Sequence, residues 1–112
     1  MSDEVYTLGA WRVKEGMERE FVEAWKELGR FFRQLSAPPG EGTLLQGIDD
    51  PHEFYSFGPW PSLGAVQDMR HHPDTPEEIS KLLSFCEDGH PGTYRVVATG
   101  LQSPRRLDRQ EC

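Results

Sequence analysis

Four histidines stand out in the sequence as groups able to move a proton near neutral pH, and two of them, His71 and His72, are adjacent. On a helix or a strand adjacent side chains point different ways, so this pair does not hold one metal as an i, i+4 pair would. His71 has the chemistry of a general base toward a phenolic proton; as a loop residue ahead of Pro73 it needs no function. Cys86 and His90 are four apart, but Gly89 and Pro91 end the expected helix before His90, and two ligands do not make a metal site. No metal and no cofactor is expected. Tyr6, Tyr55, Arg12 and Arg95 are polar side chains on expected strands, suited to orienting an anion in a pocket or to lying on a surface or interface. A glycine-rich phosphate loop, a nucleophile elbow and a carboxylate pair in an apolar setting are all missing, and Asp49 and Asp50 read as turn formers.

These residues need elements to position them. Val5–Val13 mixes β-branched and aromatic residues and predicts a strand, with Val5, Thr7, Trp11 and Val13 on one face and Tyr6, Leu8 and Ala10 on the other. After Gly16, apolar residues from Met17 through Phe21, Trp25, Leu28 and Phe32 to Leu35 recur at three- and four-residue steps, predicting a long amphipathic helix. Its charges agree with the helix dipole: Glu18, Glu20 and Glu23 lead, while Lys26, Arg30 and Arg33 follow. Pro38, Pro39 and Gly40 stop it. Residues 43–48 and Glu53–Trp60 predict a hairpin turning at Asp49, Asp50 and Pro51.

Residues 62–70 fit a short helix. Thr75, Pro76 and Glu78 read as an N-cap, a first-turn proline and the far half of a capping box, opening a helix that runs through Cys86 and ends near Gly89. Residues 93–101 alternate as a last strand, and residues 103–112 read as a disordered polar tail outside a single domain of residues 1–102. The order β-α-β-β-α-β is the split arrangement of the ferredoxin-like α+β class, with both long helices on one face of a four-stranded antiparallel sheet. Large apolar groups occur at both odd and even strand positions, so the second face also needs a cover, and a second copy of the chain is the economical one.

Composition narrows the partners. With 36% hydrophobic and 28% charged residues the chain has the makings of one folded core. A net charge of −7 disfavours nucleic acid, which selects for a basic stripe. No apolar run reaches the length of a membrane span, and the acidic start (Asp3, Glu4) is unlike a secretory signal, so a cytoplasmic protein is expected. The two cysteines, Cys86 and Cys112, fit neither a disulfide framework nor a zinc ribbon and read as reduced thiols.

The run from Val13 through Gly16 to Phe21, the strand ending Phe54, Tyr55, Ser56, Phe57, Gly58, Pro59, Trp60, and the Ser62 and Ala65 that follow together resemble the antibiotic biosynthesis monooxygenase family of dimeric α/β barrels, over residues 5–101. That resemblance implies a homodimer and a pocket between sheet and helices. It also implies a cofactor-independent monooxygenase acting on a small planar phenolic or quinone-like compound, or a non-catalytic protein of the same fold that holds a small molecule or haem. Trp60 matches the tryptophan at the family's pocket mouth: it either stacks on a flat ligand or closes the core at the end of the sheet. In the catalytic reading His71 or Tyr55 handles the proton that a cofactor-free oxygenase must remove, and Tyr6, Arg12 and Arg95 orient the anion. The haem-degrading relatives use an asparagine on the first strand and a histidine about ten residues after the tryptophan. This sequence has no asparagine, and Arg70 stands ten after Trp60, which argues against haem degradation by that route.

Overall fold

The elements follow the expected order in the computed structural model, which describes residues 4–100: β1 (Val5–Val13), α1 (Glu18–Arg33), β2 (Thr43–Gln46), β3 (Glu53–Trp60), α2 (Leu63–His71), α3 (Thr75–Leu83) and β4 (Cys86–Arg95). The expected tail, the boundary at residue 102 and Cys112 lie outside the described residues. The strands form one antiparallel sheet in the order β2-β3-β1-β4, the ferredoxin-like arrangement. Central β1 pairs with β3 from Val5↔Trp60 to Arg12↔Glu53, and with β4 from Val5↔Arg95 to Val13↔Cys86 across an irregularity at Arg12 and Val13.

Alternation along β1 and β3 decides which face the helices cover. Val5, Trp11 and Val13, with Phe54, Ser56 and Trp60, are buried on one side. Phe21 and Leu28 of α1 and Leu82 of α3 pack there with Trp11, Val13 and Phe54, and Ala65, Val66 and Met69 of α2 pack with Val5 and Trp60. Phe21 is fully buried, its ring tilted against Phe54 at 5.0 Å and Trp11 at 6.0 Å. The positions between carry the other face: Tyr6, Leu8 and Phe57 are half-buried, and Leu45, Tyr55 and Tyr94 are exposed. Register brings these into one apolar strip, Tyr94–Tyr6 and Leu8–Phe57 side by side and Tyr55 beside Leu45. Among the described residues no helix covers it.

Local chemistry sets the joints. Gly16 has φ +85°, the left-handed turn that lets the chain leave β1 and enter α1. Ser62 caps α2, its Oγ accepting from Ala65 N–H at 3.1 Å. Among the described residues no helix is long and apolar enough to cross a membrane.

Four expectations need correcting. The capping box does not form: Asp74 is the N-cap of α3, without a side-chain hydrogen bond, and the Thr75 hydroxyl donates instead to the Met69 carbonyl at 2.6 Å, tying α3 to the end of α2. The helix stops at Leu83, so Cys86 opens β4 rather than closing a helix, and β4 ends at Arg95 rather than running to 101. The residues that read as a stop are admitted because β4 is an edge strand, where proline is tolerated, and because Gly89 makes room for Trp11: a Cβ there would stand 2.7 Å from the indole. The hairpin strand ends at Gln46, not 48, because Gly47 N–H bonds to Glu53 O at 2.8 Å and Glu53 N–H to Asp50 O at 3.0 Å, leaving Ile48 96% exposed in the turn.

Candidate functional site

Between the covered face of the sheet and helices α1 and α3 lies a cavity of about 1200 Å³. Its floor is set by a large side chain laid over small ones. The Trp11 indole lies along β1 above Gly9, where an added Cβ would stand 2.4 Å from the ring, and over Gly89 of the neighbouring strand. Its Nε1–H donates to Ser56 Oγ at 2.9 Å across the sheet, which fixes the ring plane and satisfies the buried N–H. At the end of β3, Trp60 Nε1–H donates to Thr7 Oγ1 at 3.0 Å, and Phe32 of α1 meets the ring edge-on at 5.2 Å. Trp25 of α1 closes on Gly42, where a Cβ would lie 3.4 Å from its ring. All three tryptophans of the chain therefore line this one cavity.

The hydroxyls of Thr7 and Ser56 accept from the indoles and that of Thr75 donates to Met69 O, so apart from Ser80 the side chains that offer polar groups to a ligand are charged ones. Lys26, Arg30 and Arg33 of α1 and Arg70 of α2 line the cavity, with Glu41 as its one acidic residue. Arg70 also donates to Thr93 Oγ1 on β4, which anchors it at the edge of the sheet. Flat aromatic faces with cations around them suit a planar anion: the rings give stacking area and the guanidinium groups give directed charge.

Of the residues that sequence pointed to, the structure puts Trp60 in the cavity, 5% exposed. There it packs in the core with Val5 and Met69 and forms part of the cavity wall. The other five are not brought to it. His71 is exposed at the end of α2, beside Arg70. Tyr55 lies on the uncovered face and donates to Glu53 Oε2 at 3.1 Å; that carboxylate raises its pKa above the ordinary phenol value, against service as a base. Tyr6 is half-buried on the same face. Arg12 is exposed at the end of β1 and pairs with Asp50 at 2.7 Å, a hydrogen bond that raises its pKa and lowers that of Asp50. Arg95 is exposed at the end of β4.

No histidine lines the cavity: His72 Nδ1 accepts from Asp74 N–H at 3.0 Å with its ring edge-on to Phe31, and His90 lies 2.9 Å from Asp88. Among the described residues no cluster of three histidine, cysteine or acidic side chains could hold a metal ion. Sequence reasoning missed Trp11, Trp25 and Arg70. The first two sat on apolar stripes and read as core, though three tryptophans on facing stripes of one strand, one helix and the next strand end were the available signal.

No family model and no curated protein matches the sequence. Solved structures do match the fold. SnoaB, a cofactor-independent oxygenase from Streptomyces nogalater, superposes with a TM-score of 0.76 at 19% identity, over 88% of this chain and 97% of that one. An antibiotic biosynthesis monooxygenase superposes with a TM-score of 0.68 at 16% identity, over 84% and 99%. A conserved protein from Methanosarcina mazei Go1 does so with a TM-score of 0.71 at 15% identity, over 83% and 92%. The chain has the fold of the antibiotic biosynthesis monooxygenases.

Proposed function

We propose that the protein is a member of that family, a cytoplasmic homodimer that oxygenates a small planar phenol without a cofactor. The observation that carries the reading is the cavity walled by Trp11, Trp25 and Trp60 and edged by Arg70 and the cations of α1. A flat ring stacks on the indoles, and Arg70 holds the phenol as its anion by favouring the charged form. The phenolate then gives an electron to dioxygen, the radical pair joins at the para carbon, and the peroxide loses water as the para C–H proton leaves. Phenol and dioxygen become quinone and water, one oxygen atom going to each product, so no outside reductant is needed. With no histidine in the cavity lining, the phenolic proton leaves to solvent in this reading, and His71 is not required.

Tyr6, Tyr55 and Tyr94 belong instead to the apolar strip on the open face, where a second copy would cover Leu45 and its neighbours. Oxygen uptake with 1-naphthol, whose para position is free, tests the function. The native protein should consume one dioxygen per 1,4-naphthoquinone formed, and Trp60→Ala and Arg70→Ala should each lose most of the rate. No uptake above the protein-free blank, or the native rate kept in both variants, overturns the reading; binding of 1-naphthol without uptake would leave a protein that holds the ligand and does not turn it over.

A further inference from the structure

We infer that the ligand of this cavity carries a carboxylate beside its phenol, and that Arg30 and Arg33 of α1 hold it. The inference rests on the phenol reading above and extends it to substrate class.

The chain is acidic, with 19 carboxylate side chains against 12 lysines and arginines, yet the cavity lining reverses that balance, with Lys26, Arg30, Arg33 and Arg70 against Glu41. On α1 the reversal is ordered. Trp25, Gly29 and Phe32 line the cavity at steps of four and three, and Lys26, Arg30 and Arg33 form a second stripe one residue further round. From Lys26 to Arg33 the helix rises about 10 Å, the length scale of a fused aromatic system.

Two of the three are not spent on the protein itself. Lys26 pairs with Glu23 at 3.3 Å, just as Arg12 pairs with Asp50 and Lys81 with Glu78, but neither Arg30 nor Arg33 has a carboxylate within ion-pair distance among the described residues. Two like charges three residues apart on a helix repel, and their Cβ atoms stand about 5–6 Å apart. One planar carboxylate between them relieves the repulsion and matches both guanidinium forks. The two groups meet different side chains, Arg70 for the phenolate and Arg30 with Arg33 for the carboxylate. A phosphate ester in place of the carboxylate would have to leave the phenolic oxygen free for oxidation; an aromatic carboxylate meets that condition directly.

Calorimetric titration with 1-hydroxy-2-naphthoic acid and with its carboxamide, alike in ring and phenol, tests the inference. The native protein should bind the acid at least about tenfold more tightly, the worth of one charge-assisted contact. Arg30→Ala/Arg33→Ala should abolish the preference, and because both residues are exposed the fold should survive, which circular dichroism checks. Arg19→Ala, on the same helix but outside the cavity lining, should keep it. Equal affinity for acid and amide in the native protein, or a preference that persists in the double variant, overturns the inference. A preference for the acid that the double variant loses, in a protein without oxygen uptake, overturns only the catalytic reading, and binding of neither compound overturns both.

Discussion

Replacing Gly9 by alanine would press on the floor of the cavity at its tightest point. The new methyl would stand 2.4, 2.6 and 2.7 Å from three atoms of the Trp11 indole. Ordinary carbon contacts lie at about 3.5–4.0 Å, so the ring must retreat by about 1 Å. It cannot slide freely, because its N–H is bonded to Ser56 and its benzo edge overlies Gly89. The open direction is the cavity. Forced overpacking of this kind costs about 1–3 kcal/mol, and in a domain of this size each kcal/mol lowers Tm by about 4–8 °C. Urea denaturation should show that loss, and calorimetry should show weaker binding of 1-naphthol as the floor rises. A double-mutant cycle isolates the cause. The clashing atoms lie beyond the reach of a leucine side chain, so Gly9→Ala should cost little in a Trp11→Leu background, a coupling of about 1 kcal/mol or more. An equal cost for Gly9→Ala in both backgrounds would refute the wedge.

Other consequences follow from the same geometry. Gly29→Ala adds a methyl where nothing lies within 4 Å, on a helix interior, and should raise stability by about 0.5–1 kcal/mol in the same denaturation assay. The buried Cys86 thiol, its Sγ 3.5 Å from the Leu82 carbonyl, is pushed by burial from about 9 up to about 11. Because the folded state favours the protonated form, its contribution to stability is complete below pH 9 and is lost as pH rises from 9 toward about 11. In a Cys112→Ser background a thiol reagent at pH 8 should therefore react only after denaturant is added. Leu45→Asp or Tyr94→Asp, both at exposed positions of the open face, should convert a dimer to a monomer by sedimentation velocity while leaving circular dichroism unchanged; a native protein that is already monomeric removes the dimer from the account.

The fold was readable because its signals are local and agree with one another. The period of α1 and the β-α-β-β-α-β order point to the same sheet with its helices on one side, and the apolar residues left on the other face were visible as large groups at both odd and even strand positions. What failed at β4 was punctuation. Gly89, Pro91 and Gly92 look like a loop by propensity, but Gly89 is where the Trp11 ring lands, and that is knowable only once Trp11 and Gly89 are paired across the sheet. Thr75 kept its hydrogen bond and changed partner, from its own helix to Met69 of the preceding one, a tertiary contact that a four-residue motif does not contain.

The site was legible only at Trp60, for a related reason. Trp60 was singled out by the family resemblance, as the tryptophan that ends a strand at the pocket mouth. Trp11 and Trp25 were hidden because an aromatic residue on an apolar stripe reads the same whether it fills a core or walls a cavity; the difference is the space left above it. His71 drew attention by its chemistry, but the last turn of α2 leaves it exposed while the cavity receives Arg70, its neighbour. One residue along a helix turns the side chain by about 100°, and the sequence pattern of this short helix did not resolve which of the two faced inward.

Every tryptophan in the chain lines the cavity, so the claim that this cavity is the ligand site has a direct readout. In a ¹⁵N-labelled sample the indole N–H signals of Trp11, Trp25 and Trp60 report on the floor, the α1 wall and the end of the sheet. Titration with 1-naphthol should shift or broaden all three in step, saturating at one ligand per chain. Three indole signals that stay in place at saturating 1-naphthol would contradict the account.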